Sequence, residues 1–421
     1  MRTEDGLRIL VALHHLELGG SQLNALDFAT ELTRRGHRLL IFANHDGRVG
    51  PVADLVRDRG LDLVLVRDDH TTVPRTAPCR PRVSRAMLRA AREFRADLVH
   101  AYEWSMILDA AHGPGLRLGV PLLSTVYGMT VPKWLPRNSP VVLGTADLVG
   151  TARALGLRAE LIVPPVDLRH DGRGRVDAHG FRAGHSIGAG DLLAVIVSRL
   201  EPDMKAEGIR RAIDTVAGSA DPRLRLAVVG TGPSAAELTQ RAASANHRAG
   251  RAAVIMAGPL IDPRPAYAAA DLLMGMGGSA LRGMAYGRPL IVLGTQGFAR
   301  LCEPGSAELF RRQGFYGVGT EHARPLPVEL DRLASDPELR EHLGDWSRRL
   351  IEQEYSLDVA TDRLELISRE AVARGAGARI RSVLRTTVHR TVAEAAGPRG
   401  RAVAHRLRSA SAVRSTAEPA R

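Results

Sequence analysis

The sequence predicts an α/β protein with two doubly wound domains that face each other across a cleft. Its 421 residues exceed what one ordinary hydrophobic core accommodates. Short apolar runs alternate with longer helix-like segments, which is the pattern of parallel strands joined by helical crossovers. The alternation stops in a stretch rich in Asp, Arg, His and Gly and restarts after residue 190. Two sheets separated by a linker are therefore expected.

The first predicted domain spans residues 1–166, and strand-like and helix-like segments alternate along it. The predicted strands are Leu7–Leu13, Arg38–Phe42, Leu61–Val66, Asp97–Ala101, Pro121–Val126 and Leu161–Pro164. The predicted helices are Gln22–Arg35, Val52–Arg59, Ser84–Phe94 and Trp104–His112.

The linker is predicted at residues 167–190 and the second domain at residues 191–355. Its predicted strands are Leu192–Val197, Leu224–Val229, Ala253–Ala257, Leu272–Met274 and Leu290–Val292. Its predicted helices are Gly208–Ala217, Ser234–Ala245, Ala266–Ala270 and Ala280–Tyr286. Because ligands of doubly wound sheets bind at the carboxyl ends of the strands, we expect the active site there.

The C-terminal part is predicted to be helical throughout Pro327–Ala373, with residues 356–373 as a separate helical segment. Residues 374–421 form a predicted basic, partly disordered tail. From Ala371 to Arg421 there are 11 Arg against 2 Glu, so the remainder of the chain is nearly neutral. A basic amphipathic helix can lie on an anionic membrane surface, and a solvated tail is the alternative. Because the tail lacks aromatic residues for base stacking, no nucleic acid partner is expected.

The cysteines and the apolar stretches bear on the cellular compartment and on whether a disulfide or a zinc site is expected. Cys79 and Cys302 lie far apart without a partner motif, so neither a disulfide framework nor a zinc site is predicted. The first residues do not resemble a secretory signal, and no apolar stretch approaches the ~18 residues that span a bilayer. We expect a cytoplasmic protein, with the tail as a candidate for peripheral contact with the inner face of the membrane.

A glycine turn follows the first predicted strand. Gly19 and Gly20 precede Ser21, which is a suitable N-cap for the next helix. The amino end of a helix leaves backbone N–H groups free for a phosphate or a sugar hydroxyl. A purely structural turn is the alternative interpretation.

Two basic residues follow the first strand of the second domain. Arg199 and Lys205 combine a forked guanidinium with a compact ammonium, and this pair suits the oxygens of a diphosphate. Lysine is otherwise nearly absent, since only Lys133 and Lys205 occur in the chain. Simple exposure to solvent is the alternative.

Further glycines follow later strands. Gly230 and Gly232 would let a nucleotide approach the backbone, although a strand-to-helix turn alone can explain them. In GMGGSALRGMAYGRPLIV, residues 275–292, Ser279 is a predicted N-cap of a helix whose free amides would bind a diphosphate. Arg282 would lie on the first turn, which disfavours a cation unless an anion is near. Its alternative partner is a surface carboxylate.

Together these stretches resemble the retaining glycosyltransferases of family four, which have the GT-B fold of two facing Rossmann-like domains. The resemblance covers roughly residues 7–370. It is carried by GGSQLNALDFATELTRRGHRL at 19–39, DLVHA at 97–101, IVPPVD at 162–167, SRLEPDMKAEG at 198–208, VGTGP at 229–233 and ALRGMAYGRPLIV at 280–292.

The resemblance implies roles for individual residues. Arg199 and Lys205 would hold the donor's diphosphate, and the Gly19–Ser21 loop would lie beneath the reacting sugar. The amides near Gly275, at Gly277, Gly278 and Ser279, would bind the donor phosphates. The main chain at Leu260 would hold the nucleotide base.

Three positions depart from the family pattern. The family commonly has two glutamates flanking its glycine-rich turn, where this chain has Met274 and Arg282. A guanidinium cannot accept hydrogen bonds from ribose hydroxyls, so either the ribose is held otherwise or Arg282 serves the phosphates. The family's histidine after the fifth strand aligns with Tyr127. A tyrosine can hydrogen-bond a sugar hydroxyl but does not readily accept a proton at neutral pH.

The resemblance implies an enzyme that moves a sugar from a nucleotide-diphosphate sugar to an acceptor with retention of configuration. Arg199, Lys205 and Tyr127 are the candidate catalytic residues. No cofactor and no metal are expected, since such folds neutralise the leaving group with side chains and helix ends, and no Asp-x-Asp triplet suits a divalent ion. The alternative is a catalytically impaired scaffold that binds nucleotide sugars, favoured by Met274, Arg282 and Tyr127. The nucleotide, the sugar and the acceptor are not determined by the sequence.

Overall fold

The computed structural model describes residues 6–68, 79–374 and 386, which form two compact α/β units. The first unit contains the described residues up to Leu143, residues 148–160 and the described residues from Leu364 onward. The second unit contains residues 144–147 and 161–363. The predicted basic tail lies outside the described residues, apart from Arg374 and Thr386.

The sheet of the first unit has seven strands in the spatial order β3-β2-β1-β4-β5-β6-β7. Along the chain these are β1 (Arg8–Leu13), β2 (Arg38–His45), β3 (Asp62–Arg67), β4 (Leu98–Tyr102), β5 (Leu122–Val126), β6 (Pro140–Leu143) and β7 (Arg158–Leu161). The five pairings among β1 to β6 are parallel. Because the strand order reverses at β1, the carboxyl ends of β1 and β4 lie side by side at the switch point of the sheet.

Helices of the first unit follow the strands as crossovers. They are α1 (Gly20–Arg34), α2 (Val52–Asp58), α3 (Pro81–Phe94), α4 (Glu103–Ala110) and α5 (Ala146–Ala154). Helix α1 begins directly after the turn at the end of β1, and α4 begins directly after β4. The first turns of α1 and α4 therefore start from the same edge of the sheet.

The sheet of the second unit has six strands in the order β10-β9-β8-β11-β12-β13. They are β8 (Leu192–Val197), β9 (Leu224–Val229), β10 (Val254–Gly258), β11 (Leu272–Gly275), β12 (Leu290–Leu293) and β13 (Ala299–Leu301). Only the β12–β13 pairing is antiparallel among these described strands. The helices are α6 (His179–Gly184), α7 (Ala206–Ala217), α8 (Ala235–Ala249), α9 (Arg264–Ala269), α10 (Gly277–Met284), α11 (Ala307–Gln313), α12 (Leu326–Ser335) and α13 (Pro337–Glu354).

The last described helix, α14 (Leu357–Ala373), begins in the second unit and ends in the first. Two carboxylates on its later turns pair with residues of the first unit. Glu365 lies 3.2 Å from His37 Nε2, and Glu370 lies 2.5 Å from the Arg158 guanidinium. Two acidic side chains near the end of α14 thus contact basic side chains of the first unit.

The predicted α/β class with two doubly wound domains is confirmed, and individual elements differ from the prediction. The strand predicted at Leu161–Pro164 is β7, which ends at Leu161, because Pro164 and Pro165 have no N–H to donate to a ladder. The short strands β6 and β13 were not predicted. The stretch predicted to be helical throughout 327–373 consists of three helices, α12, α13 and α14. Pro337 cannot sit inside a helix, and the Asp336 side chain caps α13 by accepting from Leu339 N at 2.9 Å.

Strand β4 lies at the centre of the first unit and is buried on both faces. His100 on this strand is 2% exposed, and its Nε2 lies 2.7 Å from Thr125 Oγ1 on β5. Burial lowers the pKa of His100 to about 3. The imidazole is therefore neutral in the folded protein at any physiological pH.

This buried imidazole predicts a pH dependence of stability. The unfolded chain binds a proton at His100 below the ordinary pKa of 6.5, whereas the folded protein does so only near pH 3, so stability is lost as the pH falls through this window. Between about pH 7 and about pH 5, His100 alone should lower the free energy of unfolding by about 2 kcal/mol. The measurement is urea unfolding of the wild type and His100→Gln at both pH values.

The glutamine variant keeps a group that can hydrogen-bond to Thr125 and does not titrate. We expect its free energy of unfolding to depend less on pH than that of the wild type. His247→Gln, a change at an exposed histidine on α8, is the control and should keep the wild-type dependence. Equal pH dependence in all three proteins would contradict the assignment.

Candidate functional site

The turn between β1 and α1 contains the first predicted site loop. Helix α1 begins at Gly20 with Gly19 as its N-cap, so the prediction that Ser21 caps the helix was wrong. Gly19 supplies the extended backbone of a cap without a side chain, and the Ser21 hydroxyl instead donates to Glu103 Oε1 at 3.3 Å. Ser21 therefore connects the turn to the end of β4.

Polar side chains, of which Gln22 is buried, contact one another at this turn. The Gln22 side-chain nitrogen lies 3.4 Å from His14 Nε2 and 3.1 Å from His15 Nδ1. Burial, with the nearby charges of His15 and Arg80, lowers the pKa of His14 to about 3. This histidine is neutral and serves as a fixed hydrogen-bonding group.

Glu103 is the site residue that sequence reasoning missed. It follows β4 directly, and its Oε1 accepts hydrogen bonds from the Ser21 hydroxyl and from Tyr127 N at 3.1 Å. Burial raises the pKa of Glu103, and these two donors oppose the shift. The available signal was an acidic residue directly after an apolar strand, in LVHAYEW. Tyr127, the predicted counterpart of the family histidine, lies directly after β5.

In the second unit, Arg199 and Lys205 lie in the loop after β8. The Arg199 side chain is 61% exposed and lies 2.5 Å from Glu201 Oε1. Lys205 is the N-cap residue of α7 and is half-buried. Within the described residues no hydrogen bond or ion pair holds its ammonium. Burial lowers the pKa of Lys205, the charge of Arg199 lowers it further, and Glu201 partly opposes both.

Gly230 and Gly232 shape the loop that carries Arg199. Their φ angles are +141° and +158°. A Cβ atom would lie 1.9 Å from Ser198 O at Gly230 and 2.7 Å from Leu200 O at Gly232. The close approach of two strand-end loops thus requires both glycines. This supports the structural alternative given above, in which the turn alone explains them.

The glycine-rich turn after β11 begins its helix earlier than predicted. Helix α10 starts at Gly277 with Met276 as its N-cap, so the predicted cap at Ser279 was wrong; its hydroxyl donates to Met276 O at 3.2 Å. Gly277 N donates to Phe315 O at 2.8 Å. A Cβ at Gly277 would lie 3.0 Å from the Tyr316 ring, which explains the glycine. The remaining first-turn amides are those of Gly278 and Ser279.

Arg282 lies on the second turn of α10, since this helix begins three residues before the predicted start. Its Nε lies 3.1 Å from Asp171 Oδ2, and the side chain of Asp171 is 5% exposed. The Tyr286 hydroxyl donates to Asp171 Oδ1 at 3.2 Å. The carboxylate partner is therefore buried, whereas the alternative interpretation placed it on the surface. Asp171 was predicted to be only part of a linker.

The remaining predicted positions lie at the same edge of this sheet. Gly275 is the last residue of β11, and Leu260 follows β10 by two residues and is partly exposed. Met274 is buried in the core. Because β10, β9, β8 and β11 are neighbours, the loops after them lie side by side at their carboxyl ends. Donor binding by these residues stays a prediction.

The described ranges contain neither a cluster of metal-ligating side chains nor a helix that could span a membrane. No group of three or more His, Cys, Asp or Glu side chains in the described part of the chain is arranged to hold a metal ion. None of the helices in these ranges is both long enough and apolar enough to cross a bilayer.

Comparisons with known proteins place the chain in a family. Residues 18–173 match the family described as Glycosyltransferase Family 4, and residues 192–316 match Glycosyl transferases group 1. No curated protein sequence matches the chain significantly.

Solved structures with the same fold share little sequence with the chain. A glycosyltransferase from Rickettsia africae has a TM-score of 0.69 at 13% identity, over 88% of this chain and 100% of its own. Anabaena HepE in complex with UDP-glucose has a TM-score of 0.66 at 17% identity, over 86% and 100%.

The catalytic domain of Arabidopsis thaliana starch synthase IV, bound to ADP and acarbose, has a TM-score of 0.59 at 13% identity, over 88% and 100%. At these identities the likeness shows the fold alone. Taken with the two matched families, it shows that the chain belongs to the glycosyltransferases of family 4 and group 1, with the GT-B fold.

Proposed function

We propose that the chain transfers a sugar from a nucleotide-diphosphate sugar to an acceptor, with retention of configuration and without a metal ion. The second unit holds the donor, and the first unit holds the acceptor. The environment of the Lys205 ammonium is the observation that supports this proposal most directly. This half-buried ammonium, close to Arg199, has no partner in the described part of the chain.

A half-buried ammonium without a partner destabilises a protein unless a ligand supplies the opposite charge. Glu201 reduces the local positive charge but pairs with Arg199 rather than with Lys205. A diphosphate would bring negative charge to both cations. Anion binding at this position therefore explains why the chain keeps one of its two lysines here.

Backbone groups at the same edge supplement these cations. The amides of Gly278 and Ser279 open α10, where the helix dipole favours an anion. Gly230 and Gly232 hold the loop of Arg199 in place. The main chain near Leu260 is proposed to hold the base, and the turn at Gly275 and Gly277 to lie against the donor phosphates.

These groups act most strongly when the bond between the anomeric carbon and the diphosphate oxygen breaks. Negative charge then accumulates on the leaving diphosphate, and Arg199, Lys205 and the α10 amides stabilise it. The departing oxygen takes the proton of the acceptor hydroxyl, whose oxygen bonds to the anomeric carbon on the same face. Tyr127 is proposed to hydrogen-bond a sugar hydroxyl during this step.

The second candidate function is a nucleotide-sugar-binding scaffold without transfer activity. Its specific support is Arg282, whose guanidinium pairs with buried Asp171 where family members commonly have a glutamate. A scaffold would bind a nucleotide sugar and release no free or transferred sugar. Transfer and hydrolysis assays with the purified protein separate the two functions.

The first prediction about the donor site concerns Lys205. A panel of UDP, ADP, GDP and dTDP is screened for the nucleotide that raises the melting temperature most. With the corresponding nucleotide sugar, Lys205→Met should lower turnover by about 100-fold or more, because one charge stabilising the leaving group is lost. The melting temperature without ligand should be equal to or above that of the wild type, because the variant removes an unpartnered half-buried charge.

The matched control is Lys133→Met, which removes the other lysine of the chain at an exposed position of the first unit. It should keep wild-type turnover. Unchanged turnover in Lys205→Met would refute the assignment of the diphosphate to this residue.

The second prediction concerns pH. Because the pKa of Lys205 is lowered, its ammonium loses the proton at a lower pH than an ordinary lysine, and the affinity for the nucleoside diphosphate should fall as the pH rises from about 8 to about 10. Lys205→Arg stays protonated over this range. Isothermal titration should show a smaller loss of affinity in the arginine variant, and identical pH dependence in both proteins would count against the proposal.

The third prediction concerns Arg282. Since Asp171 already pairs with this guanidinium, Arg282→Gln should lower the melting temperature and change the affinity for the nucleoside diphosphate by less than about threefold. Calorimetry and titration measure the two quantities. A loss of affinity of about tenfold or more would instead assign Arg282 to the donor phosphates.

A further inference from the structure

Glu103 has no role in the proposed transfer, yet its backbone is strained. Its φ of +63° lies in the left-handed region, where the described residues include only four other non-glycine residues. Such a conformation costs about 1–3 kcal/mol and persists when the surrounding structure enforces it. It places the side chain at the junction of β4 and α4, at the carboxyl edge of the first unit's sheet.

The two oxygens of this carboxylate differ in their contacts. Oε1 accepts from the Ser21 hydroxyl at 3.3 Å and from Tyr127 N at 3.1 Å, so it joins the turn after β1 to the loop after β5. Oε2 accepts no hydrogen bond from any residue in the described ranges. The side chain is not fully enclosed, so a ligand can reach it.

The space beside Oε2 adjoins a glycine. A Cβ atom built on Gly128 would lie 3.7 Å from Oε2, and apart from the adjacent residues no other atom of the described chain lies within 4 Å of that Cβ position. Next along the chain, Trp104 is 47% exposed and packs edge-to-face on Trp134, with 6.4 Å between ring centroids. A carboxylate oxygen and an exposed indole on the next residue of the chain offer the two kinds of group that a sugar ring needs, an acceptor for its hydroxyls and an apolar surface for its C–H groups.

We propose that Glu103 Oε2 accepts a hydrogen bond from a hydroxyl of a sugar ring bound at the carboxyl edge of the first unit's sheet. The inference rests on the proposed function and gives it a substrate class for this edge, a sugar or another ring polyol. The ring belongs either to the acceptor or to the transferred sugar. A hydrogen bond to a charged oxygen is stronger than one between neutral groups, which justifies keeping a strained, half-buried carboxylate here.

Glu103→Gln separates this role from a purely structural one. The amide oxygen of glutamine can still accept from Ser21 and from the Tyr127 amide, so the two loops stay joined. Only the second oxygen is replaced, by an NH₂ group that donates instead of accepting. Glu17→Gln is the matched control, because it removes the same charge from an exposed residue of the turn after β1.

The probes are D-glucose, D-mannose, D-galactose and myo-inositol at millimolar concentration, with binding followed by saturation-transfer NMR. A nucleotide-sugar hydrolysis assay on the same proteins gives the KM for the donor. We expect wild type and Glu17→Gln to bind at least one probe, and Glu103→Gln to bind it about tenfold more weakly with an unchanged donor KM. This result assigns the ring to the acceptor.

If Glu103→Gln instead raises the donor KM about tenfold and leaves probe binding unchanged, the hydroxyl belongs to the transferred sugar. If neither quantity changes, or if the wild type binds no probe and the donor KM is unchanged in the variant, the proposal is overturned. Lys205→Met decides the transfer function separately, so the two proposals can fail independently.

Gly128→Ala keeps the test decisive should Glu103→Gln fail to fold. Its added methyl group makes ordinary contact with Oε2 and occupies the space that the hydroxyl needs, while Glu103 is unchanged. We expect the same weakening of sugar binding or rise in donor KM. Wild-type values for both quantities in Gly128→Ala would then overturn the proposal.

Discussion

The close contact between two strand-end loops is the constraint on which the candidate donor site depends. The loop after β8 carries Arg199, and the turn after β9 carries Gly230 and Gly232. Leu200 N donates to Thr231 O at 2.9 Å, and Ser234 N donates to Leu200 O at 3.0 Å. Any side chain at Gly230 would overlap Ser198 O, so the loop could not keep this position. The glycines act here by permitting backbone packing, and the cations depend on that packing for their placement.

In the first unit, a side chain rather than glycine backbone joins two strand-end loops. Its turn after β1 and its loop after β5 are joined by one carboxylate oxygen of Glu103, which accepts from both. Because parallel strands end at the same edge of a sheet, a residue at the end of β4 can reach the loops after both neighbouring strands. The left-handed backbone at Glu103 is the energetic cost of that reach.

Ion pairing distinguishes the arginines of the second unit from its lysine. Arg199 pairs with Glu201 on its own loop, and Arg282 pairs with Asp171. In a chain with 58 basic residues, nearly all of them arginine, the residue type alone says little about a ligand. The local carboxylates decide which cation remains available, and within the described residues Lys205 has none bound to it. Pairing with local carboxylates, rather than the net charge of the chain, therefore indicates which cation can bind a donor.

The order and period of the apolar segments were enough to predict the α/β class, the two sheets and most strands, because core strands and crossover helices are set by local hydrophobic patterns. Positions such as Arg199, Lys205 and the glycine turns were predictable because they directly follow those strands. The helix starts at Gly20 and Gly277 were not, since Gly19 and Met276 occupy the N-cap positions although Ser21 and Ser279 are the more usual residue type for a cap. Glu103 and Asp171 were also not predictable. Their roles depend on partners 82 and 111 residues away in the chain, and only tertiary packing brings those atoms within hydrogen-bonding distance.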